Sequence, residues 1–599
     1  MASFIDKTRV NTAVDKFSKF TFLNRHQTTA GFMQFGFSHC VELVPKQPYK
    51  VKASSFVRLE PMPVPTNGSI RINNRAFFVP YRTVWPVFND FYNDVKGVDD
   101  VGAPYNLSTV PTVSDNILID MFDDAICSTL AVGGATPDFV VVGSDGTTSN
   151  RVFTPTGKTY YKVLRQLGYT IDFNQQNTSF VHSALALLCA AKISYDWYAV
   201  TAYAMDIRYT QVQAIFNRRT TYSLTKLDLL ALLQLLDTVH YDSDYFTAAW
   251  DNPYTPNDGS FSNYQINDIT KGLSSAYSSQ VLLNNTVNGQ QIGSDNAVKL
   301  VGGTDGNIGY LNSISQFGLT ALRSLTDWMK RNQIVGARTL DRYLARWGVK
   351  LTSDKLDRSY YIGYNRESIL VGDVTSTADT TGANLGSFAG KGLAYNERTF
   401  EYTNDEELGM FFIISTIVPE VSYYQGESAH NMRISRTQFY QPEFDNLGVQ
   451  TINKRELLCP LNGELTRGIS NWDSQVFGFI PRYADYKVQL DKVTGDYVVP
   501  SLATGKDSWY IGRDMTNFLD TDAPTPFDNL AHSFVFTEGK DATQYNRIFY
   551  NTDGKVDNFN VSHVFEVTTT FPGSSLFDNY EFEDKGDKVN VDVNGVKVN

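Results

Sequence analysis

The chain has 599 residues, of which 42% are hydrophobic, 13% aromatic and only 19% charged. Lys and Arg total 52 against 64 Asp and Glu, a net charge of −12, which argues against a general nucleic-acid binder but leaves room for a locally basic face. Four scattered cysteines without a CxxC exclude a zinc ribbon, and no apolar run approaches the roughly 20 residues of a membrane helix. The expectation is a protein made in a reducing cytoplasm, with no signal peptide and no membrane insertion. A surface short of charge but carrying 34 Tyr and 39 Phe is one that other copies of the chain could cover, although a strand-rich fold has the same composition.

Residues 1–30 carry Lys7, Arg9, Lys16, Lys19 and Arg25 against Asp6 and Asp15, a mildly basic N-terminal arm and a candidate nucleic-acid contact. From Gly31 to Trp85 apolar clusters between Pro and Gly breaks predict strands, joined through PMPVP (Pro61 to Pro65), which cannot lie in a central strand because proline has no N–H to donate. Residues 97–180 read as a loop-rich insertion with a few short strands. Helices are predicted at Ser183 to Lys192, at Ser223 to Val239 with Ser223 as N-cap, at Leu319 to Asn332 and at Ala337 to Trp347. A second insertion, 250–312, is dominated by the Asn-, Ser- and Gly-rich stretch Asp251 to Gly309. Short strands resume from Tyr360 to about Arg482, and Phe411 to Val418 is the best core strand. The reading divides the chain into the arm, a main domain at 31–550, and a polar C-terminal tail at 551–599 that contains one last strand, VFEVTTTF. Many short strands, few helices and no internal repeat indicate a sandwich or barrel.

No P-loop, HExxH, GxSxG or dinucleotide fingerprint occurs. None of the seven histidines has another two to four residues away, so each is read as structural. Carboxylate pairs such as Asp242 with Asp244, Asp520 with Asp522 and Glu406 with Glu407 read as solvated turns. Arg338, Arg342 and Arg346 fall on one helix face, suited to phosphates or to carboxylates of a neighbouring subunit; the acidic net charge favours the carboxylates. Trp85 and Trp347 are read as aromatic anchors of a core or interface. No catalytic residue, metal site, cofactor or enzymatic activity is expected.

Several phrases in order, RLEPMPVPTNGSIRINNRAFFVPYRTVW, GARTLDRYLARWGV, YIGYNRESILVGDVTST, VPEVSYYQG, FYQPEFDNLGVQTINKRELL and FGFIPRYADYKVQLDKVTGDY, resemble the major capsid proteins of the Microviridae, nearest to the gokushovirus-like branch and its larger relatives from gut bacteria. The resemblance implies a mainly β fold, a single viral jelly roll with two facing four-stranded antiparallel sheets. It implies a virion protein that self-assembles into a small T=1 icosahedral shell around circular single-stranded DNA. A small basic DNA-packaging protein and a host surface receptor would be its other partners, and the arginine row would be architectural. Residues 97–180 and 250–312 depart from the shorter members; the second is the candidate protrusion for host attachment. The competing readings are a phage receptor-binding or carbohydrate-active β protein, and a double jelly roll, which would show a duplication that the chain lacks.

Overall fold

The computed structural model describes residues 17–94, 97–98, 104–105, 107–122, 140–142, 151–171, 180–198, 207–239, 244–249, 286–287, 290–291, 358–375, 388–404, 407–445, 449–459, 476–498, 506–513, 544–554, 556–572, 583–584 and 587–588. Its frame is eight long strands: β1 (Phe17–Ala30), β2 (Gly36–Leu43), β3 (Gln47–Leu59), β4 (Ile70–Pro80), β5 (Tyr360–Thr375), β6 (Phe388–Asn404), β7 (Gly409–Pro419) and β8 (Phe559–Pro572). They pair in the order β1-β8-β3-β6-β5-β4-β7-β2. The first strand thus lies antiparallel beside the eighth, the second beside the seventh, the third beside the sixth and the fourth beside the fifth. A long hairpin rolled up on itself produces this pattern, the connectivity of a jelly roll.

β5 and β6 pair only through their distal ends, Leu370–Thr375 with Phe388–Leu393. Their other halves part, Tyr360–Ile369 pairing with β4 and Leu393–Asn404 with β3. That divergence makes two facing sheets, β1-β8-β3-β6 and β2-β7-β4-β5. The strands alternate as a half-buried sheet requires. Tyr49, Val51, Ala53, Val57 and Leu59 of β3 point inward, to meet Ile70, Ile72, Ala76 and Phe78 of β4 and Phe411, Ile413 and Ile417 of β7. β7 is apolar on both faces because Phe412 and Ile414 pack outward against helices.

Those helices come from the connection between β4 and β5: α1 (Phe88–Tyr92), α2 (Asp115–Asp120), α3 (Pro155–Gln166), α4 (Leu185–Ile193), α5 (Ile207–Phe216) and α6 (Lys226–Gln234). They cover the outer side of the second sheet, where Phe37, Phe77, Val79, Phe412 and Ile414 join one apolar cluster with Trp85, Leu118, Val163, Leu164, Leu188 and Leu232. The stretch 97–180 therefore holds packed helices as well as loops. In α3, Tyr160, Val163, Leu164 and Leu167 recur at helical spacing, and surrounding polar residues mask that signal. The cap of α6 is Thr225 rather than Ser223, because Asp228 three residues on closes a reciprocal capping box with it. Two lysines of α3, Lys158 and Lys162, lie 2.9 and 2.7 Å from buried Asp557, just ahead of β8.

The second half of the basic arm is β1, and the strand expected in the tail is β8; these 14-residue strands pair along their whole length. Arg25 and Lys19 suggest a solvated arm by charge alone, but FSKFTFLNRHQTTA carries the aromatic and β-branched residues that suit a pleated surface. The predicted helices at Leu319 to Asn332 and Ala337 to Trp347 lie outside the described residues.

The middle of the sandwich is polar. Across one sheet His26, His563, Ser55 and Asn396 are register partners in a row; across the other, Ser415, Asn74 and Asn365 form a second row. Ser55 Oγ lies 2.8 Å from His563 Nδ1 and accepts from Asn74 Nδ2 at 3.0 Å, linking the sheets, and Asn365 donates to Asn396. Ser415 Oγ donates to Ser38 Oγ at 3.1 Å. His39 sits beside the row, 2.7 Å from Tyr49 Oη, with its ring against Phe565. A small cavity of about 20 Å³ borders Ser38, Ser415 and His563, room for one water.

Burial drives the pKa of His39 down to about 4 and that of His563 to about 3, neighbouring imidazoles adding to the effect. The fold keeps both rings neutral, whereas the unfolded chain binds protons below about pH 6.5, so stability is full above that pH and falls as pH drops toward 4. Each ring should contribute a slope of about 1.4 kcal/mol per pH unit in this window. Denaturant unfolding at pH 7 and pH 5 checks this: His563→Gln, which keeps a partner for Ser55 but cannot titrate there, should show a clearly shallower acid loss than the parent. An unchanged slope would show that His563 does not titrate with unfolding. Trp85 is fully buried in the helical layer, with Nε1 donating to the Thr220 carbonyl at 3.3 Å. Trp85→Ala should lower unfolding free energy by about 3–5 kcal/mol in the same assay.

Candidate interaction surface

The expected site residues separate in the structure. Lys19 and Arg25 lie exposed on β1, at the end of the strand order, where charge discourages further strand pairing. Trp85 belongs to the core and is unavailable to another chain. Lys7, Arg9, Lys16, Arg338, Arg342, Arg346 and Trp347 lie outside the described residues, as does the 251–309 stretch apart from two short strand pieces.

A surface that the residue-type search did not single out comes from the long connection between β7 and β8. Short strands were expected up to Arg482; the described part of this connection has a hairpin, Val449–Asn453 with Val476–Pro481, a short parallel pair, Ser422–Tyr423 with Gly512–Arg513, and otherwise single turns and one-turn helices. Pro442 and the turn-forming residues around it break the strand pattern. The hairpin packs on Tyr245 and Phe246 through Ile452, Leu457, Phe477 and Ile480. Glu456 is buried beside Tyr245 Oη at 3.2 Å, and burial lifts its carboxyl to about pH 7. Its contribution has the opposite sign to that of the histidines: it is present below the ordinary glutamate pKa and is lost as pH rises through 7.

The turns at 429–445 have few ladder bonds and are held instead by side chains from 482–487. Tyr440 N–H donates to Tyr486 Oη and Gln441 N–H to Tyr483 Oη, both at 3.1 Å. The Tyr440 ring lies 4.8 Å from that of Tyr483 and 5.6 Å from that of Tyr486. Arg433 pairs with Asp485 while its guanidinium covers the Tyr486 ring at 3.9 Å. Gln450 ties both sides, donating to Asp485 and accepting from the Tyr483 N–H, each at 2.7 Å. Tyr483 adopts a left-handed φ of 61°, a conformation costly for an aromatic residue, and these contacts hold it there.

The result is an ordered ridge that buries little of its own apolar surface. Ile434 is 91% exposed, and Phe439, Tyr440, Phe444, Tyr486, Val488 and Leu490 are exposed around it. Exposed apolar side chains carried on a hydrogen-bonded frame suit a surface that another molecule covers, with aromatic rings supplying contact area. Among the described residues no group of His, Cys, Asp or Glu could hold a metal ion. Cys40, Cys189 and Cys459 are free thiols, and burial pushes those of Cys40 and Cys189 up, away from reactivity. No helix among the described residues is long and apolar enough to cross a membrane.

Comparison with known proteins gives a consistent picture. A family model described as Capsid protein (F protein) matches residues 179–572. The chain is 26% identical over 212 residues to capsid protein VP1 of Chlamydia phage 1, covering 35% of each chain. It is 25% identical over 169 residues to capsid protein VP1 of Spiroplasma virus 4, covering 27% of this chain and 28% of the relative. Capsid protein VP1 of Bdellovibrio phage phiMH2K is 25% identical over 157 residues, covering 25% and 28%. The match thus spans about a third of the length of these relatives. The family match takes in β5 to β8, α4 to α6 and the ridge.

Proposed function

Because the chain belongs to the Capsid protein (F protein) family, we propose that it is the major structural subunit of a small bacteriophage and builds the virion shell by self-association. The ridge on the β7–β8 connection carries this reading: it is rigid, aromatic and uncovered in the single chain. A closed symmetric shell repeats each such patch in every subunit, so one well-packed contact surface is used many times alongside the other contacts that close the shell. The jelly roll supplies a stiff block, and the connections at its ends supply the variable contacts.

The shell would be a small T=1 icosahedron around circular single-stranded DNA. A net charge of −12 cannot balance a nucleic acid, so a separate small basic packaging protein would supply positive charge inside the particle. Residues 250–312 remain our assignment for host attachment, because Asn, Ser, Gly and Tyr make adaptable recognition surfaces. Synthesis in the bacterial cytoplasm and residence in the virion follow from the same reading, which involves no catalysis.

Negative-stain electron microscopy and sedimentation test it. The chain expressed with its neighbouring phage genes should give uniform small icosahedral particles. Ile434→Asp and Phe439→Asp should each leave a soluble subunit with the parent's melting temperature but reduce particle yield at least tenfold, since each places a charge in the proposed contact. A subunit that never assembles, and that binds or cleaves glycans instead, would favour the receptor-binding alternative.

A further inference from the structure

The outer side of the first sheet is divided along β3 and β6 into a charged half and an apolar half. In the charged half Lys50 pairs with Glu401 and Lys52 with Glu397, the polar-outward pattern of a sheet face in water. That pattern stops at Glu397. The next outward residues of β6 are Tyr395 and Leu393, which lie opposite Phe56 and Arg58 of β3. On the other side Leu393 lies opposite Leu370 of β5, and Val374 continues the same face. Leu370 is 77% exposed, Tyr395 57%, and Leu393 and Val374 47% each.

The inward side of the same segment is tightly packed. Ile369, Ala394 and Val57 belong to the sandwich core. Gly390 and Met62 exchange both backbone hydrogen bonds, at 3.1 and 3.2 Å. A Cβ at Gly392 would stand 1.5 Å from Leu59 Cδ1, so only glycine lets the end of β3 close against β6 here. A fixed end of the sheet therefore displays leucines that the core of its own chain does not use.

Two cations border this patch on the same face. Arg58 lies over the Phe56 ring at 5.0 Å, and Lys391 precedes Leu393 by two residues; both are exposed and neither makes an ion pair among the described residues. Aliphatic side chains offer nothing to a sugar or a phosphate, and the cations repel a basic partner. The occupant that fits is an apolar surface bearing carboxylates. The ridge has that chemistry. Glu443 stands between Pro442 and Phe444 and Asp491 follows Leu490, both exposed and unpaired among the described residues, whereas Arg433 and Lys487 are already paired with Asp485 and Asp445. The ridge also exposes Arg436 and Lys492, for which the charged half of the sheet face holds exposed Glu566. We propose that the ridge of one copy docks on this patch of a second copy, its apolar side chains against Leu370, Leu393 and Tyr395 and its Glu443 and Asp491 toward Arg58 and Lys391. Two different surfaces joined head to tail build a ring, whereas a patch that meets only itself stops at a dimer. The inference rests on the shell reading and names the two surfaces that meet.

Substitution and cross-linking test it in the chain expressed with its neighbouring phage genes. Leu370→Asp and Leu393→Asp should each leave a soluble subunit with the parent's melting temperature, because both side chains are exposed, and should reduce particle yield about tenfold. Zero-length carbodiimide cross-linking of parent particles, read by mass spectrometry, should give covalent dimers joined from Lys391 of one chain to Glu443 or Asp491 of the next, and unassembled subunits should give none. Normal yield from both aspartate variants, or particles whose dimers are joined only elsewhere, would overturn the docking and leave the shell reading standing. Lys391 joined to a different phage protein would assign the patch to that protein and overturn the docking, as would aspartate variants that form particles in normal yield but lack DNA. A parent chain that forms no particles would remove the shell reading and the docking with it.

Discussion

The pairing of β1 with β8 is the constraint on which the rest of the molecule depends. It joins residues more than 500 positions apart along 14-residue strands, and it completes the wrapping in which each strand lies beside its mirror in chain order. Each long connection must leave and return at fixed places on that roll. The β4–β5 connection leaves beside Pro80 and the β7–β8 connection beside Pro419, at opposite ends of the β4–β7 ladder. Their described parts meet again along the side, where Tyr423 donates to Asp244 at 2.6 Å and Lys162 pairs with Asp557. Large insertions are compatible with such a frame because their closure cost grows only slowly with length once the ends are held.

A polar row through a sandwich core is costly unless its members satisfy one another. Here Ser55 meets His563 within its own sheet and Asn74 of the facing one, and Asn365 bonds to Asn396, so the row ties the two sheets at one level and leaves Asn74 Oδ1 and Asn396 Nδ2 buried without a hydrogen-bond partner. A slip of one residue in any strand would put a histidine or asparagine against aliphatic side chains and break those bonds. The row thereby specifies register more sharply than apolar alternation alone. Its consequence is a core that requires neutral imidazoles.

The surfaces with functional character lie where the regular frame ends. The ridge is irregular backbone fixed by tyrosine, arginine and carboxylate contacts, and a bulge in β5 and the π-helical turn Ser194–Tyr198 bring Tyr361 and Trp197 together. Both follow the common division in which a rigid scaffold positions recognition groups on its margins.

From the residues alone, the strand-forming apolar clusters of residues 31–85, the apolar run of β7 and that of α4 were legible, because those patterns are local to the element they form. The ordered phrases carried the fold and the family. FSKFTFLNRHQTTA carries strand-forming residues, but its place in the sheet comes from a partner at the far end of the chain that no local pattern indicates. Nor could it show that His26, His39 and His563 lie together, because none is close to another in sequence and only strand register brings them into one layer. Tyr361 and Tyr364 stood inside a quoted phrase, yet their common face depends on a bulge. Local chemistry decides which element a segment can form; long-range pairing decides which side chains meet, and the polar row and the ridge of this protein are made of those meetings.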